Sequence, residues 1–166
     1  MERLYYSVWE SPVGALTIVV SERGLVALEF GGRKPSRPRA ELVQSSEKTE
    51  PYRRELGEYF AGLRQRFTIA LDLRGTEFQL RCWHALLGIP YGETRSYADI
   101  ARAVGKPRAF RAVGLANNRN PIPIIVPCHR VVASNGSLCG YGGGLDIKER
   151  LLRLETASAS ARHANS

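Results

Sequence analysis

SYADIARAVGKPRAFRAVGLANN, residues 96–118, decides how the second half of the chain is built. Ser96-Tyr97-Ala98-Asp99 has the spacing of a capping box, in which a hydroxyl accepts from the backbone N–H three residues on and a carboxylate reaches back. Ile100, Ala101, Ala103 and Val104 then supply an apolar helical face. Gly105-Lys106-Pro107 breaks that helix, and helical character resumes over residues 108–118. Helix, short glycine-containing turn, helix is the pattern of a helix-turn-helix, although packed helical pairs that never touch DNA share it. On the second helix Arg108, Arg111, Leu115 and Asn118 share a face. Ala109, Ala112, Gly114 and Ala116 leave its surface thin enough for close approach.

Toward the N-terminus, TEFQLRCWHALLGI, residues 76–89, puts Phe78, Cys82, Leu86 and Ile89 near one helical stripe, with Trp83 and Leu87 beside it. Cys82 reads as core. Toward the C-terminus, IPIIVPCHRVV, residues 122–132, sets one cysteine beside one histidine between apolar runs. Val126 precedes a proline and is pushed toward extended geometry, while Val131-Val132 resume a β-prone run, so Cys128-His129-Arg130 reads as a sharp turn in an apolar seam. A thiol is a weak nucleophile until it ionises, and a neighbouring imidazole favours the thiolate, so the pair is a candidate activated nucleophile. A buried cysteine acting as a small hydrophobe is the plainer alternative.

GYGGG, residues 140–144, is a loop whose backbone can approach a flat ligand; no phosphate-cradling pattern surrounds it. Residues 146–155 predict a last helix with Ile147, Leu151 and Leu154 inward. Glu155 then falls at its C-terminal end, where a carboxylate opposes the dipole and needs a partner. Residues 156–166, TASASARHANS, read as a disordered tail, which makes His163 a poor catalytic candidate.

The first half has another character. Residues 3–9, 15–20 and 25–30 are rich in β-branched and aromatic residues separated by turn signals, which predicts a three-stranded antiparallel meander. Residues 31–40 form a basic Pro/Gly loop, and the polar stretch to Thr49 needs no regular structure. Pro51 would open a helix through Leu63, with Leu56, Tyr59, Phe60 and Leu63 on one face. Residues 67–73 alternate as one further strand, ended by Arg74-Gly75. The expected organisation is an α+β chain: a supporting unit at 1–74, a mainly helical unit at 75–155, and the tail at 156–166.

Composition narrows the class. The chain has 166 residues, 43% hydrophobic and 24% charged, which fits a globular protein with a proper core. Residues 1–16 contain no apolar run of signal-peptide length and no segment is long enough to span a bilayer, which predicts a cytoplasmic protein without membrane contact. The three cysteines are odd in number and form no C-x-x-C pair, against both a disulfide framework and a cysteine-rich zinc site. The formal charge of +8 lies mostly in the second half, where residues 75–155 carry 11 Lys/Arg against 6 Asp/Glu; residues 1–74 carry 12 against 10. A basic surface is the sequence-independent footprint of phosphate binding.

FQLRCWHALLGIPYGETRSYADIA (78–101), RAVG (111–114), NPIPIIVPCHRVV (120–132) and GYGGGLDIKERLLRLE (140–155) together resemble the O6-alkylguanine-DNA alkyltransferases, or methylated-DNA-protein-cysteine methyltransferases. The resemblance covers about half the chain, and Asn-Pro-x-Pro before Pro-Cys-His-Arg is its most specific part. It implies a small N-terminal sheet with helix, ribonuclease H-like, and a C-terminal helix-turn-helix domain.

By that resemblance Cys128 takes the alkyl group from O6-alkylguanine, and from O4-alkylthymine, in double-stranded DNA and keeps it, without a cofactor. His129 would take the thiol proton through a water, since neighbours on an extended segment point apart. Glu155 would orient the imidazole and Asn120 would brace the turn. Tyr97 would hydrogen-bond the flipped base and help protonate the departing guanine. Arg111 would fill the space left by the flipped nucleotide, with Arg108, Ala112 and Gly114 along the minor groove. Pro123, Tyr141, Gly142 and Gly143 would wall the base pocket. The protein would act as a monomer, with cooperation between copies on DNA left open.

Two positions depart from the pattern: Phe110 stands where a small alanine is familiar, and Cys139 adds a thiol near the glycine loop. Some relatives hold a structural zinc in the N-terminal domain, but residues 1–81 contain no cysteine or histidine, so no metal is expected. A non-catalytic alkylated-DNA binding protein and a redox-sensing helix-turn-helix regulator are the alternatives. Cys128 argues against the first, whose members carry tryptophan there. A thiol hydrolase would want a distant histidine, and only His84 and His163 are available.

Overall fold

The computed structural model describes residues 1–164, and side chains as far as residue 160. The chain falls into two compact units that divide between Arg74 and Gly75.

In the first unit, strands β1 (Glu2–Ser11), β2 (Gly14–Val20) and β3 (Leu25–Phe30) form the predicted antiparallel meander. A fourth strand, β4 (Ala40–Gln44), pairs parallel to β1 and gives the sheet order β3-β2-β1-β4, so the sheet is mixed where the sequence reading had an irregular segment. Leu42 explains the difference. It packs with Tyr6 and Ala40 against the buried cluster of Leu4, Val19, Val26 and Ala27, which a disordered stretch would leave uncovered.

Helix α1 (Ser46–Phe60) begins one turn earlier than predicted, because Ser45 caps it by accepting from the Lys48 N–H. Pro51 therefore lies inside the helix and forgoes the bond to the Glu47 carbonyl. Leu56 and Tyr59 are fully buried, whereas Leu63 falls beyond the helix and is exposed. Residues 67–73 make no regular strand. The Thr68 N–H goes to the buried Glu55 carboxylate at 2.7 Å, and a single isolated bridge pairs Leu71 with Leu25.

The second unit begins where Gly75 meets the Trp83 ring so closely that a Cβ would lie 2.5 Å from it. Helix α2 (Glu77–Leu87) carries a full capping box at Thr76 and Gln79 and buries Cys82, Trp83 and Leu86; Leu87 is partly exposed. A short parallel pair, β5 (Arg95–Ser96) with β6 (Val131–Val132), ties the start of the helix-turn-helix to the exit of the Cys-His segment. Helix α3 (Tyr97–Ala103) opens with the predicted capping box, and α4 (Phe110–Asn118) follows across the Gly105 turn. Trp83 locks α2 to α4 by donating from Nε1 to the Ala116 carbonyl at 2.9 Å.

Helix α5 (Leu145–Ala164) is twice as long as the predicted one. The tail read as disordered continues the helix through Ala164, since its alternating alanines and serines contain no Gly or Pro to stop it. Glu155 is consequently a mid-helix residue, and the dipole argument made for it does not apply. His163 lies beyond the described side chains. No described helix is long and apolar enough to cross a membrane.

Candidate active site

Cys128–Arg130 forms a single 3₁₀ turn in which the Arg130 N–H bonds the Pro127 carbonyl at 3.0 Å. It is a turn, so the extended geometry invoked to keep Cys128 and His129 apart is corrected. All three side chains are buried. The approach to the turn is strained: Ile124, buried and β-branched, has φ of 77°, a left-handed conformation that costs about 1–3 kcal/mol. Asn120 spans this segment. Its Oδ1 accepts from the Ile122 N–H at 2.9 Å and its Nδ2 donates to the Val126 carbonyl at 2.8 Å.

Beneath the turn lies Glu155. Its Oε2 is 2.6 Å from His129 Nε2, and Arg130 donates to Oε1 at 2.8 Å and to Oε2 at 3.0 Å. Arg130 also donates to the Ile89 carbonyl at 2.8 Å and stacks over the Tyr91 ring. Burial alone would raise the Glu155 carboxyl, but the hydrogen bonds and charges of His129 and Arg130 prevail and hold it at about 2. Burial lowers the His129 pKa against the pull of Glu155. Arg130 already neutralises Glu155, so the imidazole is neutral with its proton on Nε2, donated to the carboxylate. Nδ1 is then an acceptor, and it is buried without a hydrogen-bond partner among the described residues.

Burial raises the Cys128 thiol above its ordinary range, while a hydrogen bond with Asn120 and the charge of Lys148 draw it down. Two tyrosines lie close enough to the thiol to feel its charge. Tyr97, the first residue of α3, donates from its hydroxyl to the Cys139 carbonyl at 2.9 Å. Tyr141, half-buried with a buried hydroxyl, has its pKa raised by burial and then by Cys128. Pro123 is buried. In the glycine loop Gly142 faces open space, where a Cβ would meet nothing within 4 Å, and Gly143 is half-buried.

Helix α4 turns Val113, Ala116 and Asn117 inward and leaves Phe110, Arg111, Ala112, Leu115 and Asn118 exposed, with Arg108 exposed just ahead of it. The thin-surface reading holds for Ala112; Ala116 is core, and Gly114 is half-buried, 3.8 Å from the Tyr97 ring as measured from a Cβ position. His84 is exposed on α2, away from the turn's bonding network. Cys82 is core, and Cys139 is exposed with its sulfur 3.8 Å from the Tyr97 hydroxyl.

Sequence reasoning missed two members of this site. Arg130 was read only as part of the turn, and Lys148 was not singled out at all. The available signal was position: Lys148, Leu151 and Glu155 lie on the buried stripe of α5, so a charge there must have partners.

Residues 77–157 match the family model described as the 6-O-methylguanine DNA methyltransferase DNA binding domain, and residues 4–73 match its ribonuclease-like domain. The chain belongs to the methylated-DNA–protein-cysteine methyltransferase family. It is 50% identical over 153 residues to the Methanosarcina barkeri methylated-DNA–protein-cysteine methyltransferase, covering 92% of this chain and 97% of that one. The Mycobacterium tuberculosis methyltransferase is 47% identical over 158 residues, covering 95% and 96%. The crystal structure of Mycobacterium tuberculosis OGT in complex with DNA superposes with a TM-score of 0.83 at 46% identity, covering 94% of each chain. Membership makes the chain an enzyme, a DNA-repair methyltransferase, and the ribonuclease-like match accounts for the small sheet of the first unit.

Proposed function

We propose that this methyltransferase moves the alkyl group of O6-alkylguanine, and of O4-alkylthymine, in double-stranded DNA onto Cys128, once per molecule and without a cofactor. The observation that carries the proposal is the buried Cys128-His129 turn over an ionised Glu155, with His129 Nδ1 left as an unpartnered acceptor. In that arrangement the thiol proton passes to Nδ1 by way of a water. The imidazolium so formed lies against the Glu155 carboxylate, which stabilises it.

The exposed face of α4 enters the minor groove, and Arg108 and the other cations of this basic unit meet phosphates. A stacked base hides its O6 substituent, so the damaged nucleotide is flipped into the space bounded by Pro123, Tyr141, Gly142 and Gly143. Arg111, exposed at the start of α4, fills the gap with a planar guanidinium, flanked by Ala112 and Gly114. The sulfur then forms a bond to the alkyl carbon as the carbon–oxygen bond breaks, and that electron pair returns to the guanine. Tyr97 supplies the departing guanine with a proton. Burial raises its pKa, which keeps the proton in place until it is needed. The tyrosine regains a proton from solvent as His129 releases its own. We read the protein as acting as a monomer, since no step calls for a group from a second copy.

Peptide mapping after incubation with an O6-methylguanine duplex tests the assignment. One methyl group should appear on the Cys128 peptide and none on those of Cys82 or Cys139, and Cys128→Ser should acquire none. Methylation of another residue, with Cys128 left free, would refute it.

A further inference from the structure

Lys148 is fully buried in α5, and nothing in the mechanism above uses it. A lysine ammonium has three N–H donors and no acceptor. Here all three are spent on backbone carbonyls: Val131 at 2.7 Å, Cys139 at 2.9 Å and Gly140 at 3.3 Å. Burying a charge on neutral partners is costly, and a methionine would fill the same volume without that cost. The arrangement therefore calls for a role that a packing residue would not fill.

The three carbonyls show what the charge joins. Val131 is the residue on which the Cys128-His129-Arg130 turn exits into β6. Cys139 and Gly140 open the glycine loop. The Cys139 carbonyl is shared, since it also accepts from the Tyr97 hydroxyl at 2.9 Å. One backbone oxygen thus fixes the tyrosine, the loop and the ammonium together.

We propose that Lys148 is a positioning residue for the transfer: by clamping the Val131, Cys139 and Gly140 carbonyls it holds the glycine loop and Tyr97 in place against the Cys128 turn and keeps a positive charge beside the thiol. This rests on the reading of Cys128 as the acceptor. The charged and titratable groups around it agree with the sign. Cys128 and Cys139 favour its protonated form, its charge and that of Arg130 both keep His129 from taking a proton, and Glu155 on the same helix is already committed to His129 and Arg130. Burial lowers the Lys148 pKa, while its charge pulls the Cys128 thiol down.

The test compares wild type, Lys148→Met and Lys148→Arg in two assays across pH: single-turnover methyl transfer from an O6-methylguanine duplex, and labelling of Cys128 by iodoacetamide without DNA. Lys148→Met should bind the duplex normally. Its transfer near neutral pH should fall roughly tenfold, the factor that one unit of thiol pKa represents, and both profiles should move to higher pH. Lys148→Arg should restore the profiles toward wild type while transferring more slowly than wild type, because a rigid fork cannot meet three convergent carbonyls. Wild-type rate and profile in Lys148→Met, or identical profiles for the two variants, would overturn the proposal.

If Lys148→Met does not fold, the wild-type Nζ resonance decides. It should be protected from exchange and should shift when Cys128 is methylated; an exposed or unmoved signal contradicts the clamp. A wild-type protein that labels with iodoacetamide as predicted but takes no methyl from DNA would instead refute the assignment of Cys128 as acceptor and leave the clamp standing.

Discussion

His129 Nε2 and Glu155 Oε2 lie 2.6 Å apart with both side chains buried, and Arg130 closes the same carboxylate from the other side. Every proton movement at Cys128 is referred to that carboxylate, so its ionisation bears on stability and on chemistry together.

Glu155 is held at about 2 against an ordinary 4.5. A depressed carboxyl pKa contributes stability that is present above the unfolded value and is lost as pH falls through the folded one, here over the window from about 4.5 down to about 2. The contribution is on the order of 3 kcal/mol. Urea unfolding of wild type and Glu155→Gln should show a gap at pH 7, where the variant also leaves Arg130 unpaired, that narrows steadily below pH 4. A gap independent of pH would mean that the carboxylate's charge is not what stabilises the turn.

Asn120 holds a strained segment by two hydrogen bonds across Ile124. Asn120→Ala should destabilise the protein by about 1–3 kcal/mol, because the buried Val126 carbonyl loses its donor. Asn120→Asp, which can still accept from Ile122 but sets a carboxylate oxygen against the buried Val126 carbonyl, should cost at least as much. Thermal unfolding reads both, and an alanine variant as stable as wild type would remove the brace from the account.

Much of this was legible in the sequence for identifiable reasons. The apolar stripe from Phe78 placed α2, and the capping box at Ser96 with the Gly105 break placed α3 and α4, since local periodicity and hydrogen bonding decide such elements. That Cys128 and His129 share a turn, and that Glu155 needs a partner, were readable from the sequence. β4 was not, because its parallel partner β1 lies more than thirty residues away and it is only five residues long, set between a Pro/Gly loop and a polar helix start. Nor was Thr68's diversion of its N–H to Glu55, which replaces an expected strand with a tertiary bond. Lys148 escaped because lysine is ordinarily solvated, and only the packing of α5 against the turn shows it turned inward.

Arg111 stands exposed on α4 between exposed Phe110 and Ala112. Arg111→Ala should slow repair of duplex DNA by at least roughly tenfold while leaving attack on free O6-alkylated guanine unchanged, because only the duplex requires flipping. Equal loss on both substrates, measured by single-turnover rates, would exclude a role in flipping. Duplex binding should also weaken steeply with salt as phosphate contacts release counterions.

Alkylation adds volume to the side chain of Cys128, a residue that is only 7% exposed. Overpacking of that kind costs about 1–3 kcal/mol, so the methylated protein should melt below the free one. An unchanged melting temperature would show that the seam around Cys128 has room for the product.

The central claim is that Cys128 is both catalyst and final acceptor. A thioether offers no good leaving group to water or to a neighbouring thiol such as Cys139, so the bond once formed stays. Intact-mass spectrometry of the protein over time with a large excess of O6-methylguanine duplex measures this directly. The account predicts repaired guanine rising to one equivalent per active protein and stopping there, with all the protein carrying one methyl group. Continued repair beyond one equivalent, with Cys128 recovered as free thiol, would contradict it.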